Sequence, residues 1–396
     1  MTPKVAIIYL SFHSEPYWAN VIDALKKSTY PKDQIEFIIV DNPHLAHGSS
    51  KKYIEEKILP LSGTELPRIT FLPQEKNLGF AGGNNVGIKK ALELGCEYVY
   101  LHNQDGFMAA DCLTNLVEAL ENDRSIGVAQ SLVMLYPETN LVNTAGNVYH
   151  YLGFGYSGGL RKELANANPT SPRAPLLKER VQSSTANVPL SLRRGTEGEV
   201  SLGGVQEIAY ASGASLLLRA DLLKKHGSLD EDFFAYHEDL EYSLRLKSLG
   251  YKIVVASQAV FFHQYSYSHK QDKHYLMERN RYATIFMYYH PLTILLLLPM
   301  ALVLEAGLVL FSLRQGWLTE KLRAYGYWLN PAHWPQWLKK RRQIQATRKI
   351  SDHELLRSAV SIIIFDDQAV ANPILRCVGN PLMAGYWWLA KKVIVW

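Results

Sequence analysis

Residues 4–43 read KVAIIYLSFHSEPYWANVIDALKKSTYPKDQIEFIIVDNP, and their pattern sets the fold class. KVAIIYLSF (4–12) is apolar at nearly every position, as in a strand buried on both faces. The polar cluster His13, Ser14 and Glu15 ends it, an amphipathic helix follows from about Trp18 to Lys27, and Tyr30-Pro31 breaks that helix. IEFIIV (35–40) is a second apolar strand closing on Asp41-Asn42-Pro43. Strand, helix, strand at this spacing begins a parallel α/β sheet. Ligands of such sheets sit at the carboxyl ends of strands, where Ser11 and Asp41 lie.

Working outward, Arg68–Leu72 is a third strand leading to Asn77-Leu78-Gly79-Phe80-Ala81-Gly82-Gly83-Asn84-Asn85, with a helix to about Leu94. Small residues and amides ahead of a helix let backbone N–H groups approach a phosphate; a flexible loop is the competing reading. Tyr98–His102 is a fourth strand ending in Asn103-Gln104-Asp105-Gly106-Phe107. A carboxylate directly after an apolar strand is placed to present a hard metal, although Asp105 also suits a helix N-cap. A helix of about a dozen residues after Ala110 and a strand over Ile126–Val133 follow.

From about 153 to 204 the periodicity dissolves into Gly, Ser, Pro and basic residues, which reads as an insertion over the site that sets specificity. Order returns at Glu207–Arg219, with a Ser212-Gly213-Ala214 turn before the apolar run Ser215–Leu218. LDEDFFAYHEDLEYSLRLKSLGY (229–251) then crosses an acidic turn and an apolar run to His237, Glu238 and Asp239. The four-residue spacing of Leu240 and Leu244 places both acids at the first turn of a helix that Gly250 stops. A helix N-terminus favours the ionised carboxylate, which suits a general base, though acidic first turns are common on ordinary helices. Lys252–Val255 reads as a strand, Ala259–His263 as a separate apolar run closing on a histidine, and 271–290 as a helix rich in charge and aromatics.

With 396 residues the chain holds a catalytic domain plus something more, and an apolar fraction of 47% argues against disorder. A net charge of +5 is too mild for a nucleic-acid binder. Cys96, Cys112 and Cys377 have no short spacing, which excludes a zinc knuckle and fits a reducing cytoplasm.

Four separated pieces, Asp41, NLGFAGGNN (77–85), Asn103-Gln104-Asp105 and SGASLLLRADLLKKHGSLDEDFFAYHEDLEYSLRLKSLGYKI (212–253) with His263 downstream, together resemble the family 2 inverting glycosyltransferases. The resemblance is strongest to the rhamnosyltransferase- and galactofuranosyltransferase-like branch and covers roughly residues 4–290 apart from the insertion. It implies a GT-A fold over 1–270 and a nucleotide-diphosphate sugar donor, with dTDP-rhamnose first and a UDP-hexose second. It implies that Asp41 binds the donor's base, that Asn77, Gly79, Gly82, Asn84 and Asn85 lie near base and ribose, and that Asn103, Gln104 and Asp105 form the metal motif. Asp105 and His263 would hold Mg2+ or Mn2+ against the diphosphate, and Asp239 would be the base. Glu238 would orient the acceptor, with Ser212, Gly213, Ala214 and His237 on the acceptor side. Arg279 and Arg281 are candidates to approach the diphosphate, though surface arginines are the ordinary reading.

One departure matters. The family's metal motif carries two acids, and here Asn103 and Gln104 precede Asp105, so the site loses a negative charge and leans more on the diphosphate and His263. That departure motivates the alternative of a catalytically inactive, membrane-attached nucleotide-sugar binding or scaffold protein. A nucleotidyltransferase is disfavoured, because no glycine-rich, basic loop follows the first strand.

The remainder, 271–396, reads as a helical region. PLTILLLLPMALVLEAGLVLFSL (291–313) is long enough to cross a bilayer, but Pro299 and Glu305 interrupt it. Basic and aromatic residues follow, including Lys339-Lys340-Arg341-Arg342, and Lys391 and Lys392 lie beside Trp387 and Trp388. Both flanks then belong on the cytoplasmic side. The expectation is a re-entrant or interfacial hairpin kinked at Pro299, attached at the cytoplasmic face of the cell membrane near a glycan or lipid-linked acceptor. A buried accessory helix or an oligomer interface is the competing reading.

Overall fold

The computed structural model describes residues 2–44, 46–164, 199–200, 203–264, 272–363 and 373–396. Contacts divide the chain into two compact units, one of Met1–Asn147, Ser157–Phe234 and Lys252–Ser266, the other of Val148–Tyr156, Ala235–Tyr251 and Tyr267–Trp396. The sequence reading places a single boundary at 270, whereas the division by contacts groups 235–251 with the C-terminal helices.

The first unit begins with β1 (Val5–Ser11), α1 (Trp18–Lys27), β2 (Ile35–Asp41), a short α2 (Lys51–Tyr53) and β3 (Arg68–Pro73). It continues with α3 (Gly79–Glu93), β4 (Tyr98–His102), β5 (Gly106–Met108), α4 (Cys112–Asn122), β6 (Ile126–Leu135) and β7 (Val142–Thr144). Short pairs β8 (Asn147–Tyr149) with β9 (Gly155–Ser157), most of which belongs to the second unit, and β10 (Glu163–Leu164) with β11 (Glu199–Val200) border the insertion, whose 165–198 and 201–202 lie outside the described residues. Then come β12 (Val205–Glu207), β13 (Ser215–Arg219), α5 (Ala220–His226) and β14 (Lys252–His263). A ten-stranded mixed sheet runs β12-β14-β6-β13-β4-β1-β2-β3, with β5 on β14 and β7 on β6. β1 pairs in parallel with β2 and β4, and β13 inserts antiparallel between β4 and β6.

β1 and β2 are buried at every position because helices cover both faces. Val5, Ile7 and Tyr9 join Trp18, Val21 and Leu25 of α1 and Leu113, Leu116 and Leu120 of α4 in one core. Ile8 and Leu10 point the other way, and there α3 approaches on glycines: a Cβ on Gly87 would lie 2.6 Å from Ile8 Cγ2, and one on Gly83 2.4 Å from Leu10 Cδ1. The glycine-rich stretch expected as a loop is therefore the first half of a helix, and Gly83 and Gly87 serve close packing. The expected strand at 252–255 and the run at 259–263 are likewise one strand. Its register against β6 jumps between Ala256 and Val260, so Ser257, Gln258 and Ala259 bulge out and the strand resumes in time to bring His263 opposite Gly106.

The second unit holds α6 (Glu238–Ser248), α7 (Lys273–Tyr288), α8 (Pro291–Gln315), α9 (Leu318–Leu329), α10 (Trp334–Thr347), a one-turn α11 (Asp352–Leu355) and α12 (Asn380–Val393). α8 runs unbroken through Pro299, so the hairpin expected there is not formed. Proline withholds one N–H, a single bond lost from a 25-residue helix, and the Tyr386 hydroxyl donates to the Leu296 carbonyl one residue along from the one it orphans. Thr293, Leu297, Met300, Leu304, Leu308 and Ser312 form its buried face. Leu295, Leu302, Leu310 and Leu313 are 61–68% exposed on the other.

Candidate active site

The strand ends of the first unit build the site upward from β4 and β14. After His102 the chain turns through Asn103-Gln104-Asp105 into β5, which pairs antiparallel with β14 so that Gly106 faces His263. Glycine is required there, since a Cβ would meet the Phe261 ring at 2.2 Å. His263 is buried, its Nε2 2.8 Å from Asp105 Oδ1 and 3.3 Å from Asn103 Nδ2. Its Nδ1 lies 2.9 Å from Asn143 Oδ1 on β7, so the Nδ1–H donates to Asn143 and Nε2 is the ring nitrogen that faces Asp105.

This pair fits a divalent cation. Cis ligands at about 2.1 Å from an octahedral ion stand about 3 Å apart, close to the spacing of Asp105 and His263. No group of three or more His, Cys, Asp or Glu gathers into a metal site among the described residues. An ion here would draw the rest of its shell from Asn103 and from oxygens of the substrate, as hard cations bound by one carboxylate commonly do. Asn143 was missed by sequence reasoning. A lone asparagine on a three-residue strand carries no local signal.

Gln104 has a different task from metal binding. Its Oε1 accepts from Phe12 N at 2.5 Å, its Nε2 donates to Phe12 O at 3.0 Å, and Tyr9 OH donates to its carbonyl at 3.1 Å. The middle residue of the motif thus clasps the end of β1. The Ser212-Gly213-Ala214 turn stands beside the same loop, with Asn103 N donating to Ala214 O at 3.0 Å and Ser212 N to Gln130 Oε1 at 2.7 Å.

The expected donor-side residues are mostly engaged within the protein. Ser11 and Asp41 are fully buried. The Asp41 carboxylate accepts from Ser50 N at 3.2 Å, from Ser11 Oγ at 3.4 Å and from the Ser49 hydroxyl, which ties down the turn after β2. Asn42, another residue missed, accepts from Leu78 N at 2.8 Å and donates to Asn77 Oδ1 at 2.9 Å. Asn77 in turn accepts from Gly79 N, and Ala81 N donates to Phe234 O. The N–H groups of Leu78, Gly79 and Ala81, expected to cradle a phosphate, are therefore satisfied internally. Gly82 lies within α3, Asn84 donates back to Phe80 O at 2.9 Å, and Asn85 accepts from Leu229 N and donates to Leu229 O. Asn85 is thus a clasp on the 229–231 turn.

His237, Glu238 and Asp239 lie in the second unit at the head of α6. His237 is buried in a left-handed conformation, φ 69°, with Nε2 3.3 Å from Gly153 O, and burial pulls its pKa down to about 4, leaving it neutral at pH 7. Burial, and then the Asp239 charge, push the Glu238 carboxyl well above the usual range. Glu238 Oε2 has no hydrogen-bond partner among the described residues. Asp239 is only half-buried, and its Oδ1 accepts from Leu240 N at 2.7 Å. Of the two acids, the accessible one suits proton abstraction, and the buried one suits a neutral donor.

Arg281 does not serve as a diphosphate ligand. It is buried, with Nη2 2.7 Å from Glu278 and 2.5 Å from Glu305, and Lys321 completes the group with contacts to both acids. Arg279 donates to Asn280 Oδ1 at 2.9 Å and stacks on Tyr275 and Tyr327.

Residues 6–179 match the family model for glycosyl transferase family 2. Among solved structures, GalNAc-T7 with UDP, GalNAc and Mn2+ superposes with a TM-score of 0.50 at 12% identity, covering 73% of this chain and 49% of that one. The chain thus spans about half the length of GalNAc-T7. The Pyrobaculum calidifontis mannosyltransferase PcManGT with GDP-Man and Mn2+ gives 0.47 at 14% identity over 88% and 86%. S. aureus TarS 1–349 with UDP-GlcNAc gives 0.43 at 15% over 98% and 90%. A comparison with curated proteins returns no match. Mixed sheet and family match agree: residues 6–179, somewhat under half of the chain, match glycosyl transferase family 2, and the fold is GT-A.

Proposed function

We propose that the chain moves a sugar, with inversion, from a nucleotide-diphosphate donor to a glycan or lipid-linked acceptor. Rhamnose from a dTDP donor is the first candidate and a UDP-hexose the second. The observation that carries the reading is the Asp105–His263 pair at the strand ends, 2.8 Å apart and oriented by Asn143. A divalent cation held there would neutralise charge on the departing nucleoside diphosphate. Mn2+ accompanies UDP in GalNAc-T7, which supports a cation of that class. Asp239 takes the proton of the acceptor hydroxyl as that oxygen attacks the anomeric carbon in line with the leaving group. Protonated Glu238 donates a hydrogen bond that orients the acceptor, and His237 and the 212–214 turn belong to the acceptor side.

The catalytic domain is assigned to 1–270 and a helical, membrane-associated region to 271–396. Among the described residues α8 is the one helix long and apolar enough to cross a membrane. Its outward leucines and the exposed Lys391 and Lys392 support peripheral attachment at the cytoplasmic face of the cell membrane. Turnover of a nucleotide-sugar panel with Mn2+ tests the reading. Release of nucleoside diphosphate that disappears with EDTA and in Asp105→Ala supports it. Release unaffected by both refutes it, and binding of donor with no release at all leaves the scaffold alternative instead.

A further inference from the structure

The backbone just before Glu238-Asp239 is unusual. Phe234 has φ 62° and ψ −65°, Tyr236 has φ 67°, and His237 has φ 69° and ψ 0°. Residues with side chains rarely adopt such conformations, and a run of them persists only where surrounding structure over-determines it. Within the second unit, Asn280 contributes to that role. Asn280 on α7 is fully buried, and its Nδ2 donates to both Ala235 O at 3.0 Å and Tyr236 O at 2.6 Å. Its Oδ1 accepts from Arg279 Nε at 2.9 Å, so the amide's orientation is fixed from both ends. The peptide planes it grips lead directly into His237, whose carbonyl accepts from Glu241 N at 2.8 Å to open α6.

We propose that Asn280 is a positioning residue, holding the left-handed turn at Tyr236-His237 and thereby the direction in which Asp239 leaves the head of α6. The proposal rests on the reading of Asp239 as base. An apolar side chain at 280 removes the Asn280 donor from two half-buried carbonyls, and the turn relaxes toward ordinary negative φ. The carboxylate is then misaimed, and misplacement on the order of 1 Å costs about 100-fold in a positioned reaction.

The test compares the full-length wild type with N280A, Y236G, the N280A/Y236G double variant and D239N. Nucleoside diphosphate release is followed with Mn2+ and UDP-galactose, UDP-glucose, UDP-N-acetylglucosamine, dTDP-rhamnose or GDP-mannose, whichever the wild type turns over fastest. N280A should lower kcat about 10- to 100-fold while the donor KM stays within about twofold. Glycine adopts positive φ without strain, so Y236G should restore about tenfold of kcat in the N280A background while changing the wild type little. A merely structural asparagine gives no such rescue. Independently of any donor, hydrogen exchange at amides 235–239 should accelerate at least about tenfold in N280A while α7 keeps its protection. Unchanged exchange there, unchanged kcat, or a lowered kcat that Y236G does not raise overturns the clamp. If N280A does not fold, N280L fills the same volume, lacks the donor and carries the same expectations. Turnover surviving in D239N removes the base assignment itself, whereas dead D239N with normal N280A removes only the clamp.

Discussion

Glu305 sits in the middle of the most apolar helix of the chain, and the structure gives it a reason that can be measured. It belongs to a buried group of two acids and two bases, with Arg281 3%, Lys321 0%, Glu278 8% and Glu305 18% exposed at the side chain. Glu305 also accepts from Tyr282 OH at 2.7 Å and Tyr325 OH at 2.6 Å. Burial alone would raise both carboxyls, but Arg281 and Lys321 outweigh it and hold Glu278 and Glu305 below the ordinary range. The group is neutral as a whole, so removing one member leaves a surplus buried charge, a change that costs about 3–5 kcal/mol. E305Q, at the partly exposed member, should cost about 3 kcal/mol, and K321M about 3–5 kcal/mol. E305Q/K321M restores neutrality around Arg281 and Glu278 and should cost about 2–3 kcal/mol less than the sum of the single changes. Guanidinium unfolding followed by tryptophan fluorescence reads this unit, since Trp317, Trp328, Trp334, Trp337, Trp387, Trp388 and Trp396 all lie in it. Single costs below about 1 kcal/mol, or additivity within about 0.5 kcal/mol, would refute the charge-balance argument.

Asn143→Ala frees the Nδ1 side of His263 and should weaken Mn2+ binding in the presence of UDP about 10- to 100-fold, read by electron paramagnetic resonance of free Mn2+; affinity equal to wild type would mean His263 needs no such partner. Gly87→Val drives a side chain into Ile8 and should lower the stability of the first unit by about 1–3 kcal/mol, checked by the Trp18 signal in a variant lacking the other tryptophans. Because the folded pKa of Glu278 and Glu305 lies below the unfolded value of about 4.3, their contribution is complete above that pH and is lost as pH falls further. The acid limb of the wild-type stability curve should therefore be steeper than that of E305Q/K321M, and parallel limbs would count against the pairing.

Much of this was legible in the sequence, and the parts that were not share a cause. Apolar runs mark β1, β2 and β4 because strands covered on both faces have no polar side to hide them. The spacing of Leu240 and Leu244 fixes α6, and with it Glu238-Asp239 at a helix head. The glycines of 79–87 misled, because a glycine admitting a close helix–strand contact and a glycine exposing backbone to a ligand look alike in a string. β14 was read as two pieces because its bulge at Ser257–Ala259 interrupts the apolar pattern without ending the strand. Asn143, Asn280 and the partners of Glu305 come from distant segments, and their roles exist only once the chain has folded. Asp41 is a donor-side expectation from the resemblance and its strand-end position, and Arg281 only a candidate for the diphosphate; both side chains are buried, Asp41 bonded to Ser11, Ser49 and Ser50 and Arg281 paired with Glu278 and Glu305.

The central claim, that the proposed sugar transfer uses Asp239 as its base, is tested most directly by donor turnover in Asp239→Asn. The substitution keeps size and removes only the basic oxygen, so turnover with Mn2+ should fall by about 100- to 10,000-fold while donor affinity holds. Turnover within a few-fold of wild type would contradict the account.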